Sequence, residues 1–269
     1  MMISIKTPQE IEIMREGGKL LAKILDEIAQ AVRSGITTNE LDELAQELIF
    51  ANGAKPAFLG HDGFPAALCA SVNEVVVHAI PSGDLLKSGD IVGLDLGIVY
   101  PYKDCAGCFM VGGCSSKPTT KGLYTDMAIT VPVGRADKKA LKLISAAQTA
   151  LEIGMDEVKP GNYIGDIGFA IQKYVKSEGF SVIRNLVGHG VGHKLHEDPQ
   201  IPNYGKRGAG AELKPGMTLA IEPMIAASGH ELVQSKDGHG YETKDKSLTA
   251  HFEHTVVVTE KGCEVLTKM

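Results

Sequence analysis

The chain has 269 residues, 33 acidic and 27 basic, a formal net charge of −6 and 43% hydrophobic residues. This composition excludes a disordered or collagen-like chain, and an acidic balance without a basic run argues against a binder of nucleic acid or anionic membrane. The opening residues, MMISIKTPQE, carry no basic-then-apolar signal region, and no apolar run approaches the roughly 20 residues that span a bilayer. A cytoplasmic location is therefore expected. Five cysteines without an export signal make structural disulfides unexpected.

Thr7-Pro8-Gln9-Glu10 is a capping box with proline at the first helical position. Ile11, Met14, Leu21, Leu25, Ile28 and Val32 then recur at helical spacing, with Gly18 in the stripe and Gly35 closing the helix. Thr37 to Glu40 caps a second helix carrying Leu41, Leu44, Leu48 and Ile49, closed by Gly53. A later helix pair is predicted through Leu141, Ile144, Leu151 and Val158, and, after Pro160-Gly161, through Ile164, Ile167, Ile171 and Val175 to Gly179. The chain also repeats itself. Residues 32–41 align with 158–167 at an offset of 126, and 87–95 with 214–222 at an offset of 127. The run from Asp126 resembles the run from Glu253 at that same offset. One domain over 1–269 is expected, built of two halves at about 7–134 and 138–262, with its site where they meet.

Four acids stand in or beside strongly apolar β-type runs. Asp95 lies inside IVGLDLGIV, Glu222 inside TLAIEPMIA, Asp126 just before MAITV and Glu253 just before TVVV. Strands this apolar are buried on both faces, where an uncompensated carboxylate costs about 3–5 kcal/mol. Any one acid could be a strand-end residue or pair with a distant base. The repeat, however, maps Asp95 onto Glu222 and Asp126 onto Glu253, and no lysine or arginine lies in these strand cores. Bound divalent metal is the natural compensator. LVGHGVGHKLHEDP adds His189, His193 and His196; its glycines disfavour a helix and suit a tight strand or loop presenting His189 inward. His78 ends the β-type run of NEVVVHAIP, where a satisfied core histidine is the commoner outcome.

Together NEVVVHAIP, GDIVGLDLG, GLYTDMAITV, VGHGVGHKLHEDPQIPNYG, LKPGMTLAIEPM and AHFEHTVVV resemble the type I methionine aminopeptidases over nearly the whole chain. The resemblance implies an α+β, pita-bread (creatinase/aminopeptidase) fold: two pseudo-symmetric halves of helices packed on a curved antiparallel β-sheet. It implies two divalent ions, Co, Mn, Fe(II) or Zn, held by Asp95, Asp126, His189, Glu222 and Glu253. The implied reaction is removal of the N-terminal methionine from peptides and nascent proteins by a metal-bridged hydroxide. Glu222 would be the general base, His196 would face the developing oxyanion and His78 the scissile amide. Peptide or nascent-chain N-termini are the implied partners, with docking at the ribosome, no nucleic acid, no membrane and a monomeric state.

The stretch corresponding to the family's methionine pocket supplies Phe58, His61, Phe64, Cys69, Leu195 and His239. Phe58, Phe64, Cys69 and Leu195 suit an unbranched thioether. His61 and His239 stand where the family commonly has tyrosine and tryptophan, so either they line a wetter pocket or Tyr241 fills the place. The family joins its first two carboxylates by a short hairpin, whereas Asp95 and Asp126 stand 31 residues apart across an insertion at about 101–121. Asp104 in that insertion is a rival second ligand; the approach GLYTD and the likeness of DMAITV to EHTVVV select Asp126. Cys105, Cys108 and Cys114 could form a small extra metal knuckle, although their spacing lacks paired CxxC motifs and favours free thiols. The competing functions are an X-Pro peptidase of the same fold and a non-catalytic binding module. Retention of all five ligand positions argues against the second.

Overall fold

The computed structural model describes residues 3–102 and 122–269. Asp104 and the cluster Cys105, Cys108 and Cys114 lie outside the described residues. Helix α1 (Pro8–Ala31) begins at the capping box read from the sequence: the Thr7 side chain accepts from the Glu10 N–H, and Glu10 accepts from the Thr7 N–H at 2.8 Å. Helix α2 (Thr38–Ala51) repeats the device with Thr37 and Glu40. The glycine in the stripe of α1 has a steric cause, since a Cβ on Gly18 would stand 2.4 Å from the Leu266 carbonyl oxygen. Helices α3 (Lys138–Asp156) and α4 (Ile164–Ser177) follow, α3 capped by the Asp137 carboxylate on the Ala140 N–H at 2.7 Å. Leu141 departs from expectation: it is 46% exposed. The buried stripe of α3 runs instead through Ala140, Leu143, Ala147, Ala150 and Leu151, so Leu141 falls one residue off that face.

The strands before α3 are β1 (Lys55–Pro56), β2 (Leu68–Val72), β3 (Val75–Val77), β4 (Ile91–Tyr100) and β5 (Leu123–Pro132). After α4 come β6 (Ser181–Val182), β7 (Val187–Gly190), β8 (Glu197–Pro202), β9 (Thr218–Ile221) and β10 (Met224–Ala226). The last are β11 (Leu232–Gln234), β12 (Tyr241–Thr243), β13 (Thr249–His251), β14 (Glu253–Thr259) and β15 (Gly262–Val265). Nine of them form one antiparallel sheet in the order β1-β4-β5-β14-β9-β7-β8, with β2 also on β4 and β15 also on β14. Two three-stranded sheets, β13-β10-β6 and β11-β12-β3, flank it. Early and late strands join at the β5–β14 seam, where Glu253 faces Ala128.

Two apolar cores hold helices against this sheet. Leu21, Leu25 and Ile28 of α1 pack with Leu41 and Ile49 of α2 on Leu94, Leu96 and Ile98. Leu143 and Ala147 of α3 pack with Ile167 and Ile171 of α4 on Leu219, Ile221 and Val256. Each fully buried Leu or Ile stabilises this layer by about 1.5–3 kcal/mol. The hairpin of β4 and β5 keeps continuous register from Ile91 opposite Pro132 to Tyr100 opposite Leu123. The pairing around Asp95 is therefore regular on both strands.

Candidate metal centre

Antiparallel register brings the acids together. Asp95 of β4 faces Ala128 of β5, and Ala128 in turn faces Glu253 of β14. One step along, Gly97 faces Asp126, while Ala220 of β9 faces both Thr255 of β14 and His189 of β7. The Thr255 hydroxyl closes this second row, accepting from the Asp126 N–H at 2.9 Å and donating to the Asp126 carbonyl at 2.8 Å. Cross-strand partners and residues two apart share a sheet face. Asp95, Glu253, Asp126 and His189 thus occupy one face in two adjacent rows. Glu222 follows β9 directly, and its Oε1 lies 3.5 Å from His189 Nε2.

The electrostatics follow from crowding like charges under cover. Burial, then mutual repulsion, raises Asp95, Glu222 and Glu253 well above the usual carboxylate range, and burial lifts Asp126 to about 7. Among the described residues no lysine or arginine pairs with any of the four. Burial lowers His189 to about 4 and so keeps it neutral. Its Nδ1 lies 2.9 Å from the Gly190 carbonyl, to which it can only donate, leaving the Nε2 lone pair toward Glu222.

Donor atoms gather within 4.8 Å of one another in two groups, Asp126–His189–Glu253 and Glu222–His251–Glu253. Asp95 Oδ1, Glu253 Oε1 and His251 Nε2 are buried without a hydrogen-bond partner among the described residues. Carboxylate oxygens with neutral imidazole nitrogen, all unpaired by protein cations, fit hard or borderline divalent ions. His251 was not anticipated from the sequence. Its one signal was a histidine two residues before Glu253, in step with that acid.

Beside Glu222 and His189 opens a cavity of about 620 Å³ whose walls also include His78 and His196. The His196 ring stands edge-on to His189 at 4.5 Å between centroids. His78 holds φ at +61°, a conformation rare outside glycine and one that concentrates at functional sites. His193 also lines this cavity, but its ring nitrogens are engaged by other partners: its Nε2 lies 2.6 Å from Glu10 Oε1 and its Nδ1 3.1 Å from Ser4 Oγ. Close by, Lys6 Nζ meets Glu197 Oε2 at 2.5 Å with both side chains buried, tying the segment before α1 to the residue after His196.

The residues expected to line the pocket also converge. Phe58, Phe64, Cys69 and Leu195 form one apolar cluster with Ala57 and Ala66. Cys69 of β2 faces Asp95, and burial pushes its thiol up, keeping it neutral. His61 lies 5.3 Å from the His196 ring, and His239 stands edge-on to Phe64 at 5.6 Å. Tyr241 stands edge-on to His78 at 6.2 Å between centroids. Tyr124, which the sequence reading passed over, also packs on this cluster; it lies two residues before Asp126 on the same strand and so shares its face.

Buried carboxylates and histidines unpaired by protein cations, with Glu222 and His189 reaching a cavity, make a centre suited to divalent metal. The pattern of metallopeptidase family M24 matches residues 12–121 and 113–260, and the chain belongs to that family. It is 42% identical over 268 residues to methionine aminopeptidase 1 of Bacillus subtilis (strain 168), covering 100% of both chains. It is 43% identical over 271 residues to the methionine aminopeptidase of Escherichia coli (strain K12), covering 99% of this chain and 94% of that one. The crystal structure of methionine aminopeptidase from Thermotoga maritima superposes with a TM-score of 0.90 at 44% identity, over 100% of each chain. The prolidase of Pyrococcus horikoshii OT3 shares the fold at a TM-score of 0.73 and 22% identity, covering 98% of this chain and 63% of that one. The architecture is the pita-bread fold expected from the sequence.

Proposed function

We propose that the chain removes the N-terminal methionine from peptides and nascent proteins. The observation that carries this reading is the shared boundary of the acid cluster and the apolar pocket. Phe58 Cε1 and Asp126 Oδ1 close on the same point above Gly97, 2.8 and 3.2 Å from where a Cβ would stand. A thioether side chain held by Phe58, Phe64, Cys69 and Leu195 would therefore place its own α-carbon region over the carboxylates. The relative and the solved structure matched over 100% of both chains are methionine aminopeptidases, whereas the prolidase, matched over 98% of this chain, is covered over only 63% of its own length.

Asp95, Asp126, His189, Glu222 and Glu253 would hold two divalent ions, Co, Mn, Fe(II) or Zn. Bound there, the ions supply the Lewis acidity that activates water at neutral pH. Glu222, whose basicity burial has raised, accepts the proton of the attacking water and returns it to the leaving amine. His196, at the cavity wall beside His189, donates to the carbonyl oxygen as charge develops there, and His78 holds the scissile amide. His61 and His239 form the rim of the methionine pocket, where they add polar edges to an apolar floor. One catalytic unit over 1–269, two repeats at about 7–134 and 138–262, and monomeric cytoplasmic work on chains at the ribosome complete the reading. The helix pairs α1–α2 and α3–α4, each on its own apolar core, support the repeat. No helix among the described residues is long and apolar enough to cross a membrane.

The test is release of methionine from a Met-Ala-Ser peptide with Mn or Co, before and after chelation. Glu222→Gln should lower kcat by about 10²- to 10⁴-fold. No methionine release with any metal refutes the assignment, and release from X-Pro peptides alone replaces it with the prolidase reaction.

A further inference from the structure

Glu222 stands between two imidazoles. Its Oε1 lies 3.5 Å from His189 Nε2, and its Oε2 lies 3.5 Å from His251 Nε2. His251 Nε2 is also 3.7 Å from Glu253 Oε2. These separations are too long for N–H···O hydrogen bonds. Accordingly Nε2 has no hydrogen-bond partner among the described residues, although the side chain is 3% exposed. Buried polar atoms seldom go unpaired in folded proteins. The distances do match another arrangement. Two ligands at about 2.1 Å from one ion, at tetrahedral angles, stand roughly 3.4 Å apart. His189 and Glu222, both in the ligand set above, show that same spacing.

The position of His251 is held from both sides. Its N–H donates to Thr130 Oγ1 at 2.9 Å, and that hydroxyl donates to its carbonyl at 2.8 Å. On the other edge, β13 pairs with β10, His251 facing Met224. The ring is thus presented to the acids by a fixed backbone, as a ligand is and a mobile side chain is not.

We propose that His251 is a sixth metal ligand, its Nε2 joining Glu222 and Glu253 on one divalent ion and giving the centre two nitrogen donors. The inference rests on the metallopeptidase reading above. A second imidazole shifts the donor set from nearly all oxygen toward one that holds Co or Zn more strongly than Mn. The Co-over-Mn preference should therefore fall when the imidazole is removed.

The experiment loads the full chain with Co(II) and counts hyperfine-shifted imidazole N–H resonances by ¹H NMR. Calorimetric titrations with Co(II) and Mn(II) follow on the native protein, His251→Gln and His251→Phe. Two ligated imidazoles are expected in the native protein and one in each variant. The Co(II) dissociation constant at one site should rise about tenfold or more, with a smaller change for Mn(II). A native protein that binds Co(II) through one imidazole overturns the sixth ligand and leaves the metallopeptidase reading intact. Failure to bind Co(II) at all overturns both. The native count needs no variant to fold; circular dichroism verifies that the variants do.

Discussion

Replacing Lys6 with Met should damage both stability and turnover, although Lys6 touches neither the acids nor the pocket. Its Nζ is 2.5 Å from Glu197 Oε2, and both side chains are more than nine-tenths buried. Glu197 Oε1 also accepts the Lys194 N–H at 2.9 Å. Burial pushes the Glu197 carboxyl up, but the bonds from Lys6 and Lys194 outweigh it and hold the group below its ordinary range. Deleting one partner leaves a buried, uncompensated charge, which costs about 3–5 kcal/mol. Against a total stability of roughly 5–15 kcal/mol that is a large loss, about 10 °C in melting temperature for a chain of this size. Glu197 follows His196, so the displaced carboxylate also moves the histidine, and kcat should fall with it. Lys6→Met combined with Glu197→Gln keeps an acceptor for the Lys194 N–H without the stranded charge and should recover much of the stability. Urea unfolding of the two single variants and the double variant measures the coupling. A melting temperature of Lys6→Met within about 2 °C of the parent, or a double variant no more stable than Lys6→Met, would refute the reasoning.

Two further outcomes are expected. Gly97→Ala drives a methyl to 2.8 Å from Phe58 Cε1 and 3.0 Å from Ala57 Cβ, overpacking that costs about 1–3 kcal/mol. Phe58 must yield into the pocket, so KM for a methionyl peptide should rise severalfold with a smaller change in kcat, and an unchanged KM contradicts the pocket assignment. In chelated protein Asp126→Asn should be stabilising. The folded value of Asp126, about 7, exceeds its ordinary 3.8, so the ionised form penalises the fold by about 4 kcal/mol above pH 7. That penalty fades as pH falls through 7 and is gone below 3.8. Thermal melts should show a gain at pH 8 that disappears by pH 4, and an Asn variant less stable than its parent at pH 8 contradicts the argument.

The parts of the molecule that were legible in the sequence are those governed by local periodicity. Thr7–Glu10 and Thr37–Glu40 declare helix starts within four residues. Asp95 announces itself as a charge inside a ten-residue, largely buried strand. The residues that escaped depend on pairings a local window cannot contain. His251 ends the three-residue strand β13, too short to show alternation, and faces the acids because β13 pairs with β10. His193 looked equivalent to His189 in a glycine-rich run, yet its ring is claimed by Glu10, 183 residues earlier. Leu141 fits a helical stripe on spacing alone, and only the small Ala140–Ala147 face chosen for helix contact leaves it outside.

The seam between β5 and β14 has a consequence for how the molecule matures. Asp95 and Asp126 lie on one side of it and Glu253 and His189 on the other, and the strands that join there are separated by more than a hundred residues. In a zinc finger the ion gathers nearby ligands and so drives local folding. Here, among the described residues, no short stretch contains the whole set of candidate donors, and long-range strand pairing is the slow part of folding. Ion capture must come after that pairing rather than cause it. A bound ion is thus a certificate of completed assembly, and a partly made chain, which would be a peptidase loose among other unfinished chains, stays inert.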